Sequence, residues 1–161
     1  MYLDQWLFLP AMKRVKRISA GNRSGPFMGS EFAYEDLSSP EVQKFRYRFL
    51  REDALDGQPC WVIERIPRDP DSGYTRQEAW IDKDQYRYRK VVYFDRKDAL
   101  LKTLIVSQYS QYKNRWWRPK KAEMVNHQTG KRTVLVWGDY KFQTGLSADD
   151  VEPASLERWS R

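Results

Sequence analysis

Hydrophobic and polar residues alternate with a period of two along most of this chain. The clearest run is residues 44–49, where Phe45, Tyr47 and Phe49 are separated by basic residues. Successive side chains of a β-strand point to opposite faces of a sheet. The run therefore predicts a strand with an apolar, aromatic face and a basic face.

The same alternation continues at residues 86–95, where Tyr86, Tyr88, Val92 and Phe94 would share a face. Helical patterning is confined to short turns near residues 34–37 or 40–43 and to residues 154–159, behind Pro153. Further strands are predicted at residues 2–9, 60–66, 74–82, 100–109, 114–126 and 131–140, and residues 12–18 form a basic, β-patterned run. Seven or eight strands joined by short turns predict an all-β fold, an antiparallel curved sheet or barrel.

The length and composition indicate one folded domain over residues 1–161. The sequence contains no internal repeat and no linker. Aromatic residues make up 15% of the chain, which argues against disorder. The net charge of +7 favours anionic partners such as nucleic acid or lipid headgroups. No apolar run approaches the roughly 18 residues of a membrane-spanning helix.

The residue types that carry most catalytic and metal chemistry are scarce. The chain has one cysteine, Cys60, and one histidine, His127, so it offers no metal-ligand cluster and no intrachain disulfide. The glycines of residues 21–29 lack the spacing of a phosphate-binding loop. Aspartates at strand ends are typical backbone caps. We therefore predict a protein that is not an enzyme and needs no metal or cofactor.

Two binding hypotheses use the aromatic and basic residues. Interleaved arginines and rings could line a groove for single-stranded nucleic acid. Strict alternation, however, places rings and charges on opposite faces, so nucleic acid is not the favoured partner. The alternation instead favours an apolar inner surface, which either holds a hydrophobic ligand or is filled by its own rings as a small core.

A block near the start carries a family resemblance. Residues 9–19, LPAMKRVKRIS, and residues 22–37, NRSGPFMGSEFAYEDL, resemble the signature of LolA-like outer-membrane lipoprotein-sorting proteins. Weaker pieces follow in order: WIDK at 80–83, YFD at 93–95, LKTL at 101–104, Met124, and TGKRTVL at 129–135. The resemblance covers nearly the whole chain.

The resemblance implies a periplasmic carrier with an open, unclosed β-barrel of the LolA/LolB type and short helices over its concave face. Such a carrier shelters lipoprotein acyl chains or another lipid, and exchanges them with a membrane-associated donor or acceptor protein. It has no catalytic residues. The concave-face candidates are Phe45, Tyr47, Phe49, Trp61, Trp80, Tyr88, Val92, Phe94, Leu104, Leu135 and Trp137.

The chain also departs from the family pattern at its start. The signal peptide, long first helix and early strands of the family do not precede residues 9–37 here. We therefore expect this chain to be the C-terminal part of a longer domain. A strand that begins close to Met1 would be an exposed edge, which suggests pairing with a second copy of the chain. A structural module that works only through such edges is the third hypothesis.

Overall fold

The computed structural model describes residues 5–38 and 41–159 and contains two antiparallel sheets. The larger sheet has seven strands in sequential order, so each strand pairs with its neighbours along the chain. Its first and last strands do not pair with each other, and the curved sheet is not closed. The predicted all-β, open-barrel fold class is confirmed. The strands of this sheet are β3 (Phe45–Leu55), β4 (Gln58–Pro67), β5 (Arg76–Asp82), β6 (Tyr88–Phe94), β7 (Leu100–Tyr112), β8 (Trp116–Asn126) and β9 (Arg132–Val136).

The smaller sheet is a hairpin formed by the start of the described chain, β1 (Gln5–Leu9) and β2 (Arg14–Ile18). The predicted strand at residues 2–9 is thus seen from Gln5, and its first residues lie outside the described part. The predicted C-terminal helix is confirmed as α1 (Ser155–Trp159), which lies against both strands of the hairpin. Short 3-10 helices are found at Pro10–Met12, Ala20–Asn22, Phe27–Gly29, Tyr34–Leu37, Val42–Lys44 and Ala148–Val151.

The first strand of the large sheet is longer than its alternating pattern predicts. β3 continues through the charged stretch 51–54 and ends in a two-residue turn, Asp56 and Gly57. Both turn residues have positive φ values, 50° and 76°, which match the tight hairpin turn favoured by Asp-Gly. An edge strand tolerates this polarity because one side of it is open to solvent.

The seven-stranded sheet buries residues on both faces. We define the inner face as the one that carries Tyr93, Ala79 and Met124, which form the main core with Phe32 and Tyr74. Strand pairing places Phe45, Arg65, Lys102 and Leu104 on this same face. The outer face has a smaller core of Cys60, Val62 and Trp80.

A β-bulge in β6 overturns one predicted set of neighbours. Trp80 pairs with Lys90 and Ile81 with Tyr88, so Arg89 is an extra residue that reverses the alternation. Tyr88 therefore shares the inner face with Tyr93. Val92 and Phe94 point to the outer face, where Val92 packs against the core that contains Trp80. The prediction that Tyr88, Val92 and Phe94 share a face is wrong, and Trp80 also lies on the outer face.

The turn between β5 and β6 is held by a buried carboxylate. Asp82 is fully buried and accepts hydrogen bonds from Arg87 Nε at 2.8 Å and from the backbone N–H of Gln85 at 2.7 Å. Burial alone would raise the pKa of Asp82, but these donors and the charge of Arg87 outweigh it and lower the pKa below its usual value.

A lowered pKa in the folded state makes Asp82 a source of acid sensitivity. The ionised Asp82 contributes fully to the free energy of unfolding above 3.8, the ordinary pKa that it has in the unfolded chain. This contribution is lost as the pH falls through the lower pKa of the folded protein. We expect wild type to lose more unfolding free energy between pH 6 and pH 3 than Asp82→Asn does. Urea titrations at both pH values measure this. Equal losses in the two proteins would contradict the prediction.

Candidate functional site

The candidate site is a cavity of about 470 Å³ on the inner face. It lies between the sheet and the covering segment, which we define as residues 23–38. Its wall contains both aromatic and charged side chains, among them Glu35, Asp36, Phe45, Arg65, Tyr74 and Tyr93. Its volume falls within the roughly 300–1,000 Å³ of small-molecule sites.

The covering segment is fastened to the sheet by a buried ion pair. Lys102 Nζ lies 2.7 Å from Asp36 Oδ2 and donates a second bond to the carbonyl of Glu31 at 2.9 Å. The side chains of Lys102 and Asp36 are 6% and 1% exposed. Asp36 also accepts the Tyr74 hydroxyl at 2.8 Å, and burial raises the pKa of Tyr74 well above its usual value, so this phenol remains a donor.

Glu35 makes the second attachment of this segment. Its carboxylate accepts the Ser72 hydroxyl at 2.8 Å and the Gly73 backbone N–H at 2.9 Å. Burial raises the pKa of Glu35 above its usual value, although these two donors oppose the change. A side chain at Gly73 would meet Ser24 Cβ at 3.0 Å and the Glu35 carboxylate at 3.2 Å, so glycine permits the close approach.

Arg65 occupies the part of the cavity wall that belongs to β4. It is 8% exposed, and its guanidinium lies 4.9 Å from the centre of the Phe45 ring and 5.0 Å from that of Tyr88. It donates hydrogen bonds to the Tyr88 hydroxyl at 3.2 Å and to Gln77 Oε1. The cavity therefore contains a cation that is largely shielded from water.

A row of aromatic side chains extends from the cavity along the edge strand β3. Phe45 lines the cavity, and Tyr47 and Phe49 follow it on the inner face with 43% and 60% of their surface exposed. On β4, Trp61 continues this face and stacks on Tyr86 at 5.6 Å between ring centres. Large exposed apolar residues grouped in this way are typical of binding surfaces.

The structure separates the predicted concave-face residues into two groups. Those on the inner face are Phe45, Tyr47, Phe49, Trp61, Tyr88, Leu104 and Leu135, and Trp137 continues the alternation of Leu135 beyond β9. Those on the outer face are Trp80, Val92 and Phe94. Leu104 and Leu135 pack against the main core, and only Phe45 of the whole set lines the cavity. Lipid binding by any of them stays a prediction.

The polar residues of the site were not predicted from the sequence pattern. Arg65, Gln77 and Asp36 lie in stretches that predict strands or a short helix, and nothing in their spacing indicates that they meet. The one available signal is that Arg65 occupies an inner-face position of a strand whose other residues are mostly apolar. Such a position predicts burial, and a buried arginine requires specific partners.

The outer face has the charges expected from the alternating pattern, and several are paired within the sheet. Arg48, Arg51 and Arg76 point away from the aromatic row. Their ion pairs are Arg48–Glu64 at 3.1 Å, Arg51–Glu78 at 3.5 Å and Arg76–Glu78 at 3.0 Å. Rings and arginines of β3 therefore do not line one groove, which weighs against the nucleic-acid hypothesis.

Cys60 and His127 do not form a catalytic pair. Cys60 is buried in the outer core, where burial raises the pKa of its thiol. His127 lies in the exposed turn after β8, 2.7 Å from Thr103 Oγ1. Among the described residues, no cluster of acidic, histidine and cysteine side chains could hold a metal ion. In the same part of the chain, no helix is long and apolar enough to cross a membrane.

The open antiparallel sheet is similar to that of a LolA-like protein. A crystal structure of a LolA superfamily protein from Nitrosomonas europaea superposes with a TM-score of 0.73 at 21% identity, over 92% of this chain and 66% of that one. At this identity the likeness concerns the fold alone.

Two further structures are more similar. A putative outer membrane lipoprotein-sorting protein domain from Vibrio parahaemolyticus is 55% identical, with a TM-score of 0.93 over 96% of this chain and 66% of that one. A DUF1329 family protein from Desulfovibrio piger is 30% identical, with a TM-score of 0.88 over 95% of this chain and 64% of that one. This chain thus spans about two thirds of the length of these structures.

A family model with the description "Uncharacterized protein" matches residues 2–158. The chain belongs to this DUF1329-like family, whose fold is LolA-like. The resemblance inferred from residues 9–37 is confirmed at this level. The search among curated proteins gives no match.

Proposed function

We propose that this chain is part of a non-enzymatic periplasmic carrier that binds the apolar chain of a lipid on its inner face. The observation that carries the proposal is the aromatic row Phe45, Tyr47 and Phe49, which extends from a ready-formed cavity and remains largely exposed at its far end. Removal of this surface from water by an acyl chain would be favourable, at roughly 25 cal/mol per Å² of apolar surface buried.

The periplasmic location and the class of cargo rest on the relatives. The 55% identical structure is of a putative outer membrane lipoprotein-sorting protein domain, and a lipoprotein that is sorted to the outer membrane must cross the periplasm. A carrier in that space would receive its cargo from one membrane-associated protein and deliver it to another. Lipoprotein acyl chains or those of another lipid fit the same surface.

The arrangement of the cavity also favours exchange over permanent storage. The aromatic row lies on β3, which is the edge of the sheet, so a chain could enter from the side without unfolding the core. The wall opposite is the covering segment, which is attached through Phe32 in the core and through polar contacts such as Lys102 with Asp36. Movement of this segment would change the size of the cavity.

An acidic substitution in the aromatic row tests the proposal. We expect wild type to bind a fluorescent fatty acid, and Tyr47→Asp to weaken binding at least tenfold because a charge cannot be buried against an acyl chain. Fluorescence titration measures the dissociation constant. Since Tyr47 is 43% exposed, the variant should stay folded.

Val136→Asp is the matched control. Val136 is 73% exposed and lies on the outer face at the opposite edge of the sheet, so its replacement should leave binding unchanged. Absence of binding by folded wild type would refute the carrier proposal for this chain. An equal loss in the Val136 variant would show that the probe does not use the aromatic row.

A further inference from the structure

We infer that the cavity binds the anionic head group of an amphiphile, a carboxylate or a phosphate, through Arg65. This inference rests on the proposed carrier function and names the chemistry of its ligand. A guanidinium that is taken out of water loses its hydration, and proteins normally compensate by pairing it with a carboxylate.

Arg65 has no such compensation among the described residues. Its two hydrogen-bond acceptors, the Tyr88 hydroxyl and Gln77 Oε1, are both neutral. Its Nε atom is buried and has no hydrogen-bond partner. The rings of Phe45 and Tyr88 stabilise the cation from their faces but cannot neutralise it. The site therefore has a buried positive charge and a donor nitrogen, Nε, that has no partner.

The carboxylates next to Arg65 in sequence and around the cavity have other partners. Glu64 is adjacent in sequence but points to the outer face, where it pairs with Arg48. Asp36 pairs with Lys102, and Glu35 accepts bonds from the backbone of Gly73 and a neighbouring serine. Two further carboxylates line the cavity, and each has a basic partner: Glu41 lies 3.1 Å from Lys44, and Asp69 lies 4.0 Å from Arg23. Because the fold itself leaves this charge unpaired, an external anion is the group that would complete the site.

The surroundings of Arg65 indicate that the anion has an apolar tail. Arg65 lines the cavity, and the Phe45 ring that lies over it is the first member of the row that continues to Tyr47 and Phe49. A head group on the guanidinium would thus place its chain along exposed rings. Carboxylates and phosphates both match the planar fork of arginine, so the head-group chemistry is shared by fatty acids and acidic phospholipids.

The test compares two probes that differ only in the head group. A fluorescent fatty acid and the fatty alcohol of the same chain and fluorophore are titrated against wild type, Arg65→Gln and Arg46→Gln. We expect wild type to prefer the acid by roughly tenfold to a hundredfold, as for one hydrogen-bonded charge. Arg65→Gln should lose this preference and still bind the alcohol. Arg46→Gln should keep it, because Arg46 is exposed on the outer face of β3 and does not line the cavity.

Competition separates the sources of the anion. Phosphatidylglycerol should displace the fluorescent acid from wild type, whereas inorganic phosphate, which has no tail, should compete only weakly. Phosphate that competes as well as the tailed anions would overturn the assignment to an amphiphile.

The outcomes distinguish this inference from the carrier proposal. If wild type binds acid and alcohol equally, the head-group role of Arg65 is wrong and the carrier proposal stands. If neither probe binds, the carrier proposal itself fails. If Arg65→Gln does not fold, the preference of wild type for the acid over the alcohol still tests the inference. Arg65→Lys then replaces Arg65→Gln and should reduce this preference, because lysine keeps the charge but lacks the planar fork.

Discussion

Lys102→Met should destabilise the protein by about 3–5 kcal/mol, the cost of removing one partner from a buried ion pair. The ammonium group of Lys102 is the only cation within ion-pair distance of the buried Asp36 among the described residues. Without it, the Asp36 carboxylate would remain in the core with neutral donors alone, the Tyr74 hydroxyl and a backbone N–H. Urea unfolding followed by circular dichroism measures the loss.

The exposed Lys131 supplies the matched control. It lies next to the turn after β8, and Lys131→Met should change stability by less than about 0.5 kcal/mol. A double-mutant cycle then isolates the pair. Asp36→Asn should cost less in the Lys102→Met background than in wild type, since it removes a charge that has lost its partner. Additive losses would show that the two charges do not interact.

Lys102→Met also tests how strongly the covering segment is coupled to the sheet. Because Lys102 holds the covering segment against the sheet, its loss should release residues 23–38 before the sheet itself unfolds. Hydrogen exchange would then show faster exchange of the backbone N–H groups of Tyr34 and Asp36 than of those in the central strands. Exchange that rises equally in both regions would indicate that the segment and the sheet form one cooperative unit.

The pattern of hydrophobic and polar residues was sufficient to predict the architecture of the sheet. The alternation of Phe45, Tyr47 and Phe49 predicts a strand whose rings share a face, and strand pairing places all three on the inner face. The turn residues at Asp56 and Gly57 likewise indicate the hairpin that follows. These features are local, because a period of two and a turn dipeptide depend only on neighbouring residues.

Features that depend on register were not predictable in the same way. The single extra residue Arg89 moves Val92 and Phe94 to the face opposite Tyr88, and nothing in the local pattern marks a bulge there. The extension of β3 over residues 51–54 was also missed, because that stretch is charged. There, the Asp53 carboxylate accepts the indole N–H of Trp80 at 2.9 Å, a contact between strands that only the folded sheet reveals.

The charged residues at and beneath the cavity show a further limit of prediction from sequence. Asp36, Arg65 and Lys102 lie on three different parts of the chain, and strand pairing and the covering segment bring them to one side of the sheet. A basic residue within a strand pattern usually indicates a solvated face. Here Arg65 and Lys102 occupy inner-face positions, so the same alternation that predicts exposed charges on β3 places these two in the core.

Met124→Ala should cost about 2–5 kcal/mol and lower the melting temperature by on the order of 10 °C. Met124 is fully buried at the centre of the inner-face core, where it lies opposite Leu104 in the neighbouring strand. Its removal leaves a cavity beneath Phe32 and Tyr74, which closely packed strands cannot fill by relaxing. Calorimetry or thermal unfolding provides the measurement.

Val125→Ala is the control that makes this a test of the assigned faces. Val125 is the next residue of β8, points to the outer face and is only half-buried, so its truncation should cost about 1 kcal/mol. The expected difference between the two variants depends on the register of β8 against β7. A slip of one residue in β8 would exchange the two side chains between the faces, and the larger loss would then belong to Val125. Losses of equal size, or a larger loss at Val125, would therefore contradict the pairing of Met124 with Leu104 and the inner face that it helps to define.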